Sequence, residues 1–515
     1  MNQAFLSSSP PVYDPLPAAA VERLGRIMQA FSDGDLGQPW AWGPHAEGVR
    51  FALLGTYQEL RELAVRLGQE RRITAPLSTA QHALGQYHAA YRDLLALLTG
   101  VDDDLVARRP LPNEWSVRET LGHIVRAERG FFTLVHYGLR RQRENSTLPE
   151  RLPEGEVERL LEQANIFQNL LRDGDLHEIM SYYGALHGRI LGEFAGITDQ
   201  EVRGPSLWWE DIRYPLQHRL HRFDAHLRQH TVQIGMALAA LGHEETEARR
   251  LLRLVYSALA EVEALLIGTP DLAVKEREML ADTIQARSIE IDDRLQQIWR
   301  LQTAVVEGDT QTVSEILSYH PILADALDDS GLPLILSAVY RGQPAAAAIF
   351  EEKGAELSIF EAAALGNLAV VQREAEAWPE DVTAYGRDGF TALQLACYFG
   401  HEAIARWLVD QGAEVSAVSR NNQALQAIHA AVANNSLSLT HLLLANGADV
   451  NARQNGGFTA LHAAAQNGNE ELVALLLASG ADASLAGDQG ETAVSLARAA
   501  GHVGLAERIE QEMTK

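Results

Sequence analysis

The stretch Arg222-Phe-Asp-Ala-His226-Leu-Arg-Gln-His230-Thr-Val-Gln-Ile234 places two histidines four residues apart. On a helix this spacing puts both imidazoles on one face, one turn apart. Two such imidazoles can hold one divalent metal ion if another part of the chain supplies a third ligand. Pro215 precedes the stretch and suits a helix start, so we predict a helix from there to about residue 241. The best candidate for the third ligand is His123.

His123 lies on a second predicted helix, which begins at a capping box. Ser116 offers an N-cap hydroxyl and Glu119, three residues later, offers the matching carboxylate. The helix carries apolar residues around His123, and a buried histidine in such surroundings needs a polar partner. Considered alone, His123 is therefore either a core histidine bonded to a carbonyl or a metal ligand.

Apolar residues recur at three- and four-residue steps in several long segments, as is typical of amphipathic helices. The segments are residues 18–31, 46–72, 79–99, 116 onward, 155–172, 175–195 and 215–241. Four long helices with long connections indicate an all-α protein built on a four-helix bundle. Two Trp-rich segments, around Trp40 and Trp42 and around Trp208 and Trp209, are predicted to be packed loops. The first is expected to cover the end of the bundle, with an aromatic ligand-binding loop as the alternative.

The chain is long enough for several domains, because single cores rarely exceed about 300 residues. We predict a flexible leader over residues 1–17, accessory helices over 18–75, and the bundle over 78–242. Connecting helices are expected over 246–300 and a helical repeat array over 301–515.

Two motifs of the bundle resemble the DinB-like superfamily of bacterial metal-binding four-helix bundles. They are Trp115-Ser-Val-x-Glu-x-Leu-Gly-His123-Ile124 and His226-x-x-x-His230-x-x-Gln-Ile234, and the resemblance covers about residues 78–242. It implies that His123, His226 and His230 form a metal triad. Three neutral imidazoles leave positions on Zn²⁺ or Ni²⁺ open for a water or a thiolate.

The resemblance also bears on activity. Some members are transferases or isomerases that use a low-molecular-weight thiol such as mycothiol or bacillithiol, and many are metal-binding proteins without an established activity. A metal-bound thiol would react as a thiolate at neutral pH. Glu128, Asp211 and Asp224 are candidates either to support the ligands or to act as acid or base. His218 is expected either to face solvent or to support a ligand. No catalytic residue is assigned.

The second half of the chain repeats itself. Gly308, Gly342, Gly366, Gly400, Asn435, Gly468 and Gly501 mark helix ends at steps of 34, 24, 34, 35, 33 and 33 residues. A period near 33 with helix–turn–helix content is the signature of ankyrin repeats. The 24-residue step predicts a shortened unit at 355–366 without its hairpin.

The clearest unit, Gly457-Phe-Thr-Ala-Leu-His462-Ala-Ala-Ala, resembles the ankyrin Thr-Pro-Leu-His pattern. Such arrays are protein-binding scaffolds that use hairpin tips and the concave helix face. The predicted partner-binding tip residues are Tyr385, Arg387, Asp388, Arg420, Asn421, Arg453 and Asn455. His429 and His462 are predicted to be structural, bonding loop backbone between repeats, and Cys397 to be a small core residue.

The net charge of the chain is −26, and residues 301–515 carry 27 acidic against 10 basic side chains. This acidity argues against nucleic acid or an anionic membrane as a partner and predicts a protein partner with a basic surface. The single cysteine excludes a disulfide within the chain. Without a signal peptide or a long apolar run, the expected location is the cytoplasm.

The sequence supports three hypotheses about function. The first is a metal-dependent thiol transferase or isomerase-like enzyme. The second is a non-enzymatic interaction protein in which the metal is structural or sensory and the repeats recruit a partner; alternatively, the array covers the bundle and controls access to its metal. The third is a bundle that holds no metal.

Overall fold

The computed structural model of the 515-residue chain describes residues 15–29, 31–41, 48–144, 147–161, 164–209 and 212–513. It divides into two compact units, residues 1–296 and 297–515. The elements up to residue 307 are α1 (Pro15–Met28), α2 (Val49–Thr74), α3 (Thr79–Leu98), α4 (Asp103–Ala107), α5 (Val117–Arg143), α6 (Glu156–Leu160), α7 (Ala164–Asp173), α8 (Leu176–Phe194), α9 (Asp199–Arg203), β1 (Pro205–Trp209), β2 (Ile212–Pro215), α10 (Leu216–Ala240), α11 (Glu247–Leu266) and α12 (Val274–Glu307). The division between the units falls within α12.

Helices α3, α5, α8 and α10 form the four-helix bundle, which confirms the predicted all-α architecture. Their apolar faces meet in one continuous core that extends from Ala80 to Ile267. The predicted capping box is present: the Glu119 backbone N–H donates to Ser116 Oγ at 3.2 Å, and the Ser116 N–H donates to Glu119 Oε2 at 2.8 Å. It fixes the start of α5 and thereby the position of His123, two turns further on.

The flanking helices pack closely on the bundle. Helix α11 lies against α2 and α3, and α1 lies against α11. Arg71 of α2 is buried and donates to the carbonyl oxygens of Leu265 and Ile267 at 2.9 and 2.8 Å. Arg287 of α12 pairs with Glu59 of α2 at 2.8 Å. The first compact unit is therefore larger than a bare four-helix bundle.

Several local predictions need correction. The segment around Trp208 and Trp209 is not a loop but strand β1, which pairs antiparallel with β2 and sets Trp208 opposite Arg213. Residues 15–17, predicted as part of the leader, already belong to α1, and residues 1–14 lie outside the described residues. The helix predicted over 155–172 is two helices, α6 and α7. Trp40 is buried, while Trp42 lies outside the described residues.

The second unit is a stack of helix pairs. Its helices are α13 (Thr310–Tyr319), α14 (Leu334–Tyr340), α15 (Pro344–Glu352), α16 (Ile359–Leu365), α17 (Leu368–Ala377), α18 (Ala392–Phe399), α19 (Glu402–Asp410), α20 (Ala427–Ala433), α21 (Leu437–Ala445), α22 (Ala460–Gln466), α23 (Glu470–Ala478), α24 (Ala493–Ala499) and α25 (Val503–Met513). Short 3₁₀ helices lie at Asp35–Gly37 in the first unit and at Pro321–Asp325, Pro379–Val382 and Asn455–Gly457 in the second. Only residues 353–358 separate α15 from α16, as the 24-residue step predicts.

Backbone geometry explains the repeat period. The seven residues that mark the period all have positive φ, from 57° at Asn435 to 89° at Gly501. This left-handed conformation ends a helix with little strain only for glycine or asparagine. As predicted, His429 and His462 bond loop backbone, at 3.0 Å to the Ala452 oxygen and 3.2 Å to the Glu491 oxygen.

Candidate metal centre

The structure brings His123, His226 and His230 together. His123 comes from α5 and the other two from α10. The Nε2 atoms of His123 and His226 are 3.1 Å apart, and the three ring centroids lie 4.5–5.0 Å from one another. One ligand nitrogen from each ring lies within 4.8 Å of the others. Within the described part of the chain, this is the one cluster of at least three such side chains with metal-binding spacing.

Gln233 sets the orientation of one ring. The His230 Nδ1–H donates to Gln233 Oε1 at 2.8 Å, so His230 Nε2 carries the free lone pair. An oriented outer partner of this kind is usual behind a metal-binding imidazole. The sequence motif contained Gln233, but we assigned it no role; its position three residues after His230 was the available signal.

Trp115 was also missed as part of the site. Its ring lies 5.1 Å from that of His123 and 6.4 Å from that of His230. It immediately precedes the N-cap Ser116, so the capping box holds its backbone beside the triad. With 42% of its surface exposed, the Trp115 side chain lies beside the histidines and remains open to solvent.

Two of the three rings, His123 and His226, have a lowered pKa that favours the neutral imidazole. Burial is the largest factor lowering the pKa of His226 to about 4, with further contributions from His230, His123 and Arg222. Burial, His230 and Arg126 lower the pKa of His123. A metal ligand must be the neutral imidazole, so no proton has to be displaced from these two rings at neutral pH.

The triad lies in an open cleft of about 550 Å³. The other described residues that line it are Arg126, Ala127, Gly130, Phe131, Arg222 and Gln229. None of them is acidic, so the described lining contributes only positive charge, from the two arginines. Phe131 packs edge-on against His226 at 5.4 Å and forms the apolar wall.

The predicted supporting residues have other partners. Glu128 is fully buried and accepts hydrogen bonds from Tyr183, at 2.7 Å, and from Tyr87. Asp224 pairs with Arg228 at 2.7 Å. Neither makes a hydrogen bond to a triad histidine, because their side chains point to other faces of α5 and α10.

The remaining two predictions of this kind also gain no role at the triad. His218 stacks on Tyr214 at 4.2 Å, two turns before His226 on α10, and burial is the largest factor lowering its pKa. Asp211 lies outside the described residues.

The predicted hairpin-tip residues bond to one another across repeats. The Arg420 guanidinium lies 4.0 Å above the Tyr385 ring, and Asn421 donates to the Asp388 carbonyl oxygen at 2.8 Å. The same pattern holds for Arg387 with the Gly331 oxygen, Arg453 with the Ala486 oxygen, and Asn455 with the Asn422 oxygen. These contacts align neighbouring hairpins, so the tip side chains have a structural task whether or not they meet a partner.

The residues present fit a divalent ion. Two nitrogens that bind one tetrahedral Zn²⁺ lie about 3.3 Å apart, given Zn–N bonds of about 2.0–2.1 Å. The 3.1 Å separation of the His123 and His226 Nε2 atoms is close to that value. Among the described residues, the buried Nδ1 of His226 has no hydrogen-bond partner. The Nε2 atom of the same ring contacts His123, so no hydrogen bond to another residue would have to break when a metal binds.

Comparison with known families agrees with both halves of the fold. Residues 86–234 match the model of the DinB superfamily. The model described as "Ankyrin repeats (3 copies)" matches residues 359–454 and 428–509. No curated protein matches the chain. None of the helices in the described part of the chain is long and apolar enough to cross a bilayer.

Proposed function

Since the chain joins a DinB superfamily domain to ankyrin repeats, we propose that it is a divalent-metal-dependent thiol transferase whose repeats recruit a protein partner. The observation that carries this proposal is the meeting of His123, His226 and His230 in one cleft. A bound Zn²⁺ or Ni²⁺ would lower the pKa of a thiol that reaches it and so supply a thiolate.

In this proposal, each residue of the cleft has a separate role. The three imidazoles hold the metal, and Gln233 keeps His230 in the ligating tautomer. Phe131 forms an aromatic wall of the cleft, and the Trp115 ring lies beside His123. The thiol and its electrophile enter from the open side, where Gly130 leaves space because nothing lies within 4 Å of where a Cβ would stand.

Metal content tests the centre directly. We expect purified protein to carry about one divalent ion per chain and His226→Ala to carry almost none. Gln233→Ala should bind metal about 10–100-fold more weakly, because the outer partner of His230 is lost. Elemental mass spectrometry and metal titration supply the two measurements.

Matched controls lie on the same helix. His221→Ala and Gln229→Ala should retain full metal content, since His221 is exposed and Gln229 lines the cleft without bonding a triad histidine. Equal, near-zero metal in the wild type and in His226→Ala would overturn the centre.

Turnover separates an enzyme from a scaffold. Metal-loaded protein is incubated with a low-molecular-weight thiol and 1-chloro-2,4-dinitrobenzene, and the thioether product is followed by absorbance. We expect turnover in the wild type and in His221→Ala but not in His123→Ala. Equal turnover in His123→Ala would contradict metal-based transfer.

The alternative is an interaction protein in which the metal is structural or sensory. The acidity of the repeat segment favours it, because 27 acidic against 10 basic side chains make a strongly negative surface for a basic partner. Full metal content without turnover, together with salt-sensitive binding of a basic protein to the full-length chain, would favour this alternative over the enzyme.

A further inference from the structure

Two arginines line the cleft of the metal centre, one on each of the two helices that carry the histidines. Arg126 lies one turn after His123 on α5, and Arg222 lies one turn before His226 on α10. Both are exposed, and neither makes a hydrogen bond or an ion pair with any described residue.

Phe131 contacts one of these arginines and holds it beside the triad. The Arg222 guanidinium lies 5.8 Å from the Phe131 ring centroid, and the same ring packs edge-on against His226. A guanidinium held over an aromatic face keeps its N–H donors free at its edge. Arg222 is therefore held beside the triad with its hydrogen-bonding capacity unused.

The positive charge of the cleft indicates which kind of thiol it would bind. Three neutral imidazoles leave the two charges of a divalent metal uncompensated, and the two arginines add two more. No described residue lining the cleft is acidic. A ligand with a single thiolate would leave most of this positive charge unpaired, whereas a second anionic group would pair with the arginines.

We propose that Arg126 and Arg222 form a carboxylate-binding subsite beside the metal, so that the cleft takes a low-molecular-weight thiol carrying a carboxylate. This inference rests on the proposed function and adds its substrate class. The sulfur reaches the histidine-held metal while the carboxylate accepts hydrogen bonds from the guanidinium groups. A neutral thiol of the same size lacks the second contact.

The test uses binding rather than turnover. The full-length protein is loaded with Co²⁺ and titrated with 3-mercaptopropionate or with neutral 3-mercapto-1-propanol, and the near-ultraviolet sulfur-to-cobalt absorption reports each thiol. We expect the carboxylate thiol to bind at least about tenfold more tightly, with the preference falling as salt is added. Arg126→Met with Arg222→Met should abolish the preference, because the carboxylate thiol then binds no more tightly than the neutral thiol.

Arg228→Met is the matched control, because Arg228 also lies on α10 but pairs with Asp224 and does not line the cleft. It should keep the preference. Equal affinity for the two thiols in the wild type, or a preference that survives the double substitution, would overturn the subsite alone. If neither thiol gives an absorption band with Co²⁺ bound, the proposed thiol chemistry fails and the subsite with it.

Discussion

Glu263→Gln is expected to lower the free energy of unfolding of the first compact unit by about 3–5 kcal/mol, because it removes the buried counter-ion of a buried arginine. Glu263 accepts hydrogen bonds from Arg92 at 2.6 and 2.7 Å and contacts His88 Nε2 at 2.8 Å. The Glu263 and Arg92 side chains are 2% and 1% exposed. Arg92 also pairs with Glu22 at 3.0 Å, so the network joins α1, α3 and α11.

Glu261→Gln is the matched control on the same helix. Glu261 pairs with Arg61, but the two side chains are 43% and 46% exposed. Such surface pairs contribute at most about 1 kcal/mol. Urea unfolding of the full chain, followed by hydrogen exchange of α3 and α11 peptides, measures both variants within the first unit. Equal effects of the two substitutions would contradict a buried charge network.

The network of Glu263, Arg92 and His88 should also make the stability of the protein depend on pH. Burial alone would raise the pKa of Glu263, but Arg92 and His88 outweigh it and hold the pKa at about 2. A depressed pKa adds stability above the unfolded value of about 4.3, and this contribution is lost as the pH falls towards 2. The difference in free energy of unfolding between the wild type and Glu263→Gln should therefore become smaller as the pH falls from about 4.3 towards 2.

Glu128 should make the stability of the protein depend on pH in the opposite direction to Glu263. Burial raises its pKa to about 8 against the opposing hydrogen bonds from Tyr87 and Tyr183. The folded state then binds a proton that the unfolded state has released, so stability falls as the pH rises from about 4.5 to 8. Glu128→Gln cannot ionise and should become more stable than wild type by about 3–5 kcal/mol above pH 8, with little difference near pH 4.5.

Hydrogen exchange of α5 and α8 peptides in urea, at pH 5 and at pH 8.5, measures this difference. Glu114→Gln, in the exposed segment before α5, should follow the wild type at both pH values. A stability difference between wild type and Glu128→Gln that does not change with pH would show that Glu128 is ionised throughout.

The buried networks explain why the supporting residues were mispredicted. Glu128 was a reasonable candidate from its position one turn and a half after His123. Its side chain instead enters the core, where Tyr87 and Tyr183, from two other helices, surround it. Its spacing of four residues from Ile124 and from Phe132 already places it on the buried face of α5. Its partners come from α3 and α8, and no local pattern encodes that meeting. Gln233, by contrast, acts within one turn of its own helix and could have been found from spacing.

The features that depend on neighbouring residues could be predicted from the amino-acid sequence alone. The four-residue spacing of His226 and His230, the Ser116–Glu119 capping box and the left-handed residues of the repeats all follow from local backbone geometry. Two other features follow only from the tertiary structure: the two arginines on the rim of the triad's cleft, and, elsewhere in the first unit, the pairing of Arg92 with Glu263 across 171 residues. Those features depend on contacts between distant segments, because burial and charge pairing are fixed only when the helices have packed.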